Sequence, residues 1–188
     1  MKRRKFIGII AFFSGISITG YHLYDIFSKR DLEELNRNKK LIAQLAELII
    51  PRTNTVGAID VKAEETIILF LEKCTERGTQ NNFIRGLTEL KAYATSKFGN
   101  DFLECTLDQQ SEVLLNFEEK SKSLLPIWGK LEKRFLGRPF FTVLKEYTTI
   151  AYCTSKDGAS QGMAYNAIPG NFISCINLMK GQKSWATK

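Results

Sequence analysis

Residues 138–178 read RPFFTVLKEYTTIAYCTSKDGASQGMAYNAIPGNFISCINL. The stretch opens as an amphipathic helix. Phe140, Phe141, Leu144, Tyr147, Thr148 and Ala151 recur at helical spacing and define one apolar face. Pro139 falls at the first turn, where its missing N–H costs nothing, and Gly137 precedes it. After Cys153 the period is lost, and Gly158, Gly162 and the Pro169-Gly170 pair punctuate a coil. That coil keeps Met163, Tyr165, Ile168, Phe172, Ile173 and Ile176. A coil this apolar needs a surface to lie on. Two surfaces are open to it, the protein's own helices and a partner protein.

Upstream, helical periods dominate. Asp31 to Ile50 reads as one helix, with Leu32, Leu35, Ile42, Leu45, Ala46 and Ile49 on one side and Pro51 ending it. A turn-rich loop containing Gly57 follows, and Asp60 is placed to cap a helix running to about Cys74. Gly78 to Asn81 reads as a break. Phe83 to Phe98 reads as the next helix, with Phe83, Leu87, Leu90 and Ala94 facing the core. Thr106 and Gln109 form a capping-box pattern ahead of a helix carrying Leu107, Val113, Leu114, Leu115 and Phe117. Ser121 to Pro126 reads as a turn and Ile127 to Phe135 as a short helix; Ile173 to Leu178 is the one weak strand signal. The expected fold is all-α: a compact bundle of five or six helices with a long C-terminal coil packed over it.

The N-terminus begins MKRRKFIGIIAFFSGISITGYHLY. A basic cluster precedes an apolar run from Phe6 to about Tyr21, the order of an export signal. Arg3-Arg4, followed by Lys5, Phe6 and Ile7, resembles a twin-arginine signal, which a translocase for folded cargo reads. No AxA cleavage site is present, and the apolar run is near the lower limit for spanning a bilayer. A cleaved signal and an uncleaved anchor in the inner membrane therefore both stand. Residues 1–27 are assigned to this signal or anchor, and residues 28–188 to the all-α domain.

Composition narrows the function. The chain has 188 residues, 44% of them hydrophobic, and a formal charge of +7. Lys2, Arg3, Arg4 and Lys5 supply four of those charges, and Lys and Glu are interspersed elsewhere. No basic patch interleaves with aromatics, which argues against nucleic acid as a partner. The four cysteines, Cys74, Cys105, Cys153 and Cys175, form no CxxC pair. After export they permit disulfides, of which Cys153–Cys175 would pin the coil to its helix; the alternative is buried thiols. The one histidine is His22, inside the leader region. Histidine acid/base chemistry and Ser-His-Asp or Cys-His sites are therefore absent from the domain. No P-loop, GxGxxG or GxSxG occurs, and the adjacent pairs Glu64-Glu65 and Glu118-Glu119 point in different directions on their helices. No catalytic, cofactor-binding or metal residue is assigned.

Two blocks carry a family resemblance. LAELIIPRTNTVGAID, residues 45–60, and FFTVLKEYTTIAYCTSKDGASQGMAYNAIPGNFISC, residues 140–175, resemble signatures of the small subunit, subunit 3, of membrane-bound gluconate 2-dehydrogenase. Glu47, Pro51, Thr53, Gly57 and Ala58 carry the first, and Phe140, Phe141, Tyr152, Ser155, Gly158, Tyr165, Pro169 and Gly170 the second. Val56, Cys153 and Lys156 depart from the pattern. The resemblance implies a non-catalytic subunit that assists folding and export of a large flavoprotein. That partner binds FAD and oxidises a sugar or sugar acid, and a cytochrome c subunit takes the electrons.

The expectation is thus a periplasmic accessory subunit that lends Arg3 and Arg4 to a folded partner. Phe140, Phe141, Tyr152, Tyr165, Pro169 and Phe172 are its expected contact or contact-supporting residues. The alternative is a stand-alone, membrane-tethered envelope scaffold without a redox partner.

Overall fold

A computed structural model describes residues 32–122, 137–168, 170–171, 175 and 177–186. The expected leader and the expected helix 127–135 lie outside these residues. Among those described, six α-helices follow one another: α1 Glu33–Arg37, α2 Lys39–Ile49, α3 Ala63–Lys73, α4 Arg77–Phe98, α5 Leu107–Ser121 and α6 Phe140–Thr154. A 3-10 turn, Phe102–Glu104, separates α4 from α5, and a π-helical turn, Gly158–Gly162, follows α6. The described residues contain no strand, only an isolated bridge between Ala164 and Trp185. None of their helices is long and apolar enough to cross a membrane.

The helix opened by the first quoted stretch is the centre of the bundle. α6 packs against α2, α3, α4 and α5. Its buried residues, Phe140, Phe141, Val143, Leu144, Tyr147, Thr148, Ala151 and Tyr152, cover a wide face at helical spacing. Phe140 stacks between Phe83 of α4, at 5.0 Å, and Phe117 of α5, at 5.9 Å. Tyr147 meets Phe70 of α3 edge-on at 5.5 Å, and its hydroxyl lies 2.8 Å from Thr75 Oγ1. Edge and tilted ring pairs of this kind add to the burial of the rings themselves. Leu41, Ile42, Leu45 and Ala46 of α2, and Ile67, Ile68 and Leu71 of α3, complete the same core.

Several expectations are corrected. The single helix 31–50 is two. The interruption is the backbone of Asn38, at φ −95° and ψ 14°; its N–H still donates to the Glu34 carbonyl, which its Nδ2 shares, while its Oδ1 accepts from Lys91 Nζ at 3.0 Å. Gly78 to Asn81 is not a break: α4 begins at Arg77. Its polar first turns are held by tertiary bonds. Thr79 Oγ1 accepts from the Arg138 N–H at 2.9 Å, and Gln80 Nε2 donates to the Leu71 carbonyl at 2.7 Å. Asp60 does not cap α3. Lys62, at φ +53°, stands at that boundary, and the Asp60 carboxylate is used inside the preceding loop. Leu107 and Leu115 are exposed rather than core-facing.

The capping box holds as expected: Gln109 N–H donates to Thr106 Oγ1 and Thr106 N–H to Gln109 Oε1, at 3.4 and 3.0 Å. Gln110 in the next position is buried and fully used. Its Nε2 donates to the Phe102 and Cys105 carbonyls, and its Oε1 accepts from Gln44.

The described apolar residues of the C-terminal coil are not packed over the bundle as expected. Among its described residues Tyr165, Ile168, Leu178, Met179 and Trp185 are exposed. α6 already buries most of its apolar face against four other helices, and no described residue of the coil lines the apolar groove that stays open between α2, α5 and α6. The strand expected at 173–178 is absent at Cys175, Asn177 and Leu178; its other residues lie outside those described.

Candidate functional site

The loop between α2 and α3 is built around two carboxylates. Glu47, in the last turns of α2, accepts the Arg52 N–H at 2.7 Å with one oxygen and the Ile59 N–H at 2.9 Å with the other. Asp60 accepts the Gly57 N–H at 2.9 Å and pairs with Arg52 Nη1 at 3.2 Å. Charge-assisted bonds to backbone N–H groups are strong ones, and they fix the loop's path without any regular structure. Gly57 is needed here. A Cβ at that position would stand 2.5 Å from a Glu47 oxygen and 2.7 Å from the Arg52 nitrogen.

The second family-like block meets this loop through one tyrosine. Tyr152 is 7% exposed, and its hydroxyl donates to the Val56 carbonyl at 2.9 Å. Its other side is closed by Gly162, where a Cβ would lie 2.2 Å from the tyrosine oxygen. Ser155 Oγ donates to the Tyr152 carbonyl at 2.8 Å and accepts the Gly158 N–H at 3.0 Å, which turns the chain out of α6. Both sequence blocks thus converge on one corner, and their polar groups are occupied in holding it.

Between α2, α5 and α6 lies a groove of about 280 Å³. Leu48, Ile49, Leu114, Leu115 and Phe141 form its apolar lining, with Ser111, Glu118 and Lys145 as its polar members. Leu115 is 58% exposed, and Lys145 sits over the Phe141 ring at 5.9 Å. An apolar floor edged by one acid and one base is a shape for another polypeptide or an apolar group.

The expected contact residues divide. Phe140 is in the core, where it lies against Gly86 of α4. Phe141 is buried and lines the groove, and Tyr152 supports the corner. Tyr165 is exposed on the coil, whereas Pro169, Phe172, Arg3 and Arg4 lie outside the described residues. Cys153 is partly buried and Cys175 exposed, and both are free thiols, as are Cys74 and Cys105. Sequence reasoning missed Glu47 and Asp60 as loop anchors, and Leu115 and Lys145 as groove residues. The bonds made by the first pair were signalled only by a carboxylate standing before a turn-rich loop. Among the described residues no three His, Cys, Asp or Glu side chains group to hold a metal.

Among the described residues this is an all-α body in which family-like residues of both blocks brace one corner. The family model for gluconate 2-dehydrogenase subunit 3 matches residues 36–170, well over half of the chain. The chain belongs to that family, and so to the subunits of a dehydrogenase complex. No curated protein and no solved structure matches it.

Proposed function

We propose that this chain is the non-catalytic small subunit of a membrane-associated FAD-dependent sugar or sugar-acid dehydrogenase, assisting the folding and export of the large subunit. The observation that carries the reading is the convergence of both family blocks on the Val56–Tyr152 corner. Glu47, Tyr152 and Ser155, three of the residues that resemble the family, are engaged with backbone groups. The groove between α2, α5 and α6 is the docking surface, and its occupant is the large subunit. Family membership supports the choice of partner, and the single Glu118 and Lys145 at an apolar floor support a protein contact.

FAD belongs to the large subunit in this reading, and a cytochrome c subunit receives the electrons. The large subunit folds around its flavin before export and therefore crosses the membrane folded. Arg3 and Arg4 of this chain supply the twin-arginine signal for both, which places the complex in the periplasm.

The test is co-expression with the large subunit. Changing Arg3→Lys and Arg4→Lys together is expected to leave flavoprotein activity in the cytoplasm and remove it from the periplasm. Full periplasmic activity with the altered leader rejects the escort role. A chain that purifies from membranes without any flavoprotein points instead to a stand-alone envelope scaffold.

A further inference from the structure

The last acidic residue of the chain is Asp157. From Gly158 to Lys188 there is no Asp or Glu, and Lys180, Lys183 and Lys188 are the only charged side chains. This segment leaves the bundle at the π-helical turn and is tied back at its root. Ala164 N–H donates to the Ser184 carbonyl, and Ala186 N–H to the Ala164 carbonyl, each at 2.8 Å. Lys183 Nζ adds a bond to the Gln161 carbonyl at 2.5 Å. Between the two arms of that bridge lies a tight turn. Gln182 N–H donates to the Met179 carbonyl at 3.1 Å, Met179 N–H donates to Gln182 Oε1 at 3.1 Å, and Gly181 takes φ +77°. The turn presents Leu178 at 87% and Met179 at 70% exposure, with Lys180 next to them. Trp185 and Tyr165 stand exposed near the root.

We propose that this C-terminal arm docks on an anionic lipid surface, with Leu178 and Met179 inserting shallowly, Trp185 at the headgroup level, and Lys180 and Lys183 against lipid phosphates. Apolar side chains beside lysines, with no carboxylate to be repelled, are the composition an anionic bilayer selects. Indole and phenol rings favour the same boundary layer. The turn's internal bonds satisfy backbone groups at Met179 and Gln182 that entry into the headgroup region would strip of water.

The experiment reads Trp185 itself, because the leader of the full chain can bind vesicles on its own. The full chain and its Trp185→Phe variant are mixed with brominated vesicles of phosphatidylglycerol and phosphatidylcholine, and with brominated phosphatidylcholine alone. Quenching that is present in the parent chain, lost in Trp185→Phe and restricted to the anionic vesicles is the expected result. Lys180→Gln with Lys183→Gln is expected to weaken that quenching response about thirtyfold in lipid concentration. Because Lys183→Gln also removes the bond to the Gln161 carbonyl, Lys180→Gln alone, at an exposed turn position, separates loss of charge from loss of that bond and is expected to weaken the response about fivefold. The proposal fails if Trp185 is not quenched while the chain sediments with vesicles. It fails equally if phosphatidylcholine alone quenches as well, or if Trp185 becomes shielded only when the large dehydrogenase subunit is added.

Discussion

The hydroxyl of Tyr152 donates to the main-chain carbonyl of Val56 across 96 residues of sequence, and this bond joins the two blocks that mark the family. The acceptor is backbone, so a change of side chain at position 56 leaves the bond possible. The donor is not replaceable in that way. Tyr152→Phe is expected to lower unfolding free energy by about 1 kcal/mol, the ordinary worth of such a bond. Gly162→Ala is expected to cost about 1–3 kcal/mol, because its Cβ would lie 2.2 Å from the phenol oxygen. In the Tyr152→Phe background the alanine should cost less, since the atom in closest conflict is gone. Urea unfolding of the four proteins in this cycle measures the coupling, and strictly additive costs would contradict a shared contact.

Thr148 is fully buried on α6, and among the described residues its Oγ1 has no hydrogen-bond partner. A valine has nearly the same shape and no hydroxyl to desolvate. Thr148→Val is therefore expected to stabilise the domain by about 1 kcal/mol, whereas Thr148→Ser keeps the unpaired oxygen, loses a methyl and should destabilise it by a similar amount. Thermal or urea unfolding checks both signs.

How much of this was legible before folding depended on whether the signal was local. The capping box at Thr106 and Gln109, and the buried series Phe83, Leu87, Leu90 and Ala94, are local patterns, and both were read directly. Gly78 to Asn81 misled because local propensity was outweighed by bonds to Leu71 and Arg138, distant in sequence. The groove was not legible. Ser111, Glu112, Glu118 and Glu119, three and four positions from Leu115, mark it as facing out, but the local pattern does not show that α2 and α6 come to border it. The coil was misjudged for a related reason. Its apolar content was plain, but whether α6 had any face left to receive it depended on four other helices.

The Lys39–Glu65 ion pair links α2 to α3, at 2.7 Å between Nζ and Oε1. The hydrogen bond to Lys39, followed by its charge, lowers the Glu65 carboxyl below its ordinary 4.5. The bond to Glu65 raises the Lys39 ammonium above its ordinary 10.5. A lowered carboxyl stabilises the fold above its unfolded value and stops doing so as pH falls through its folded one. A raised ammonium stabilises below its unfolded value and stops as pH rises through its folded one. The pair therefore acts across neutral pH and fails at both extremes. NMR titration of Glu65 should give a midpoint below 4.5 that moves upward in Lys39→Met. An unmoved midpoint would show that the pair is not formed in solution. Both side chains are well exposed, so the effect on global stability is small.

Leu115 and Leu107 lie on the same helix, and both are exposed, at 58% and 66%. Only Leu115 lines the groove between α2, α5 and α6. This difference separates docking from folding. An arginine at either position meets solvent, so each variant is expected to unfold within about 0.5 kcal/mol of the parent. Docking should distinguish them. A large side chain with a charge at the floor of an apolar contact removes a central anchor, an effect of about 2 kcal/mol or more, or roughly thirtyfold in affinity. Co-expressed with the large subunit and captured through this chain, Leu115→Arg should recover far less flavin absorbance than the parent, and Leu107→Arg as much as the parent. Equal recovery from both variants would move the docking surface away from the groove, whereas loss in both would assign it to the outer face of α5 as a whole.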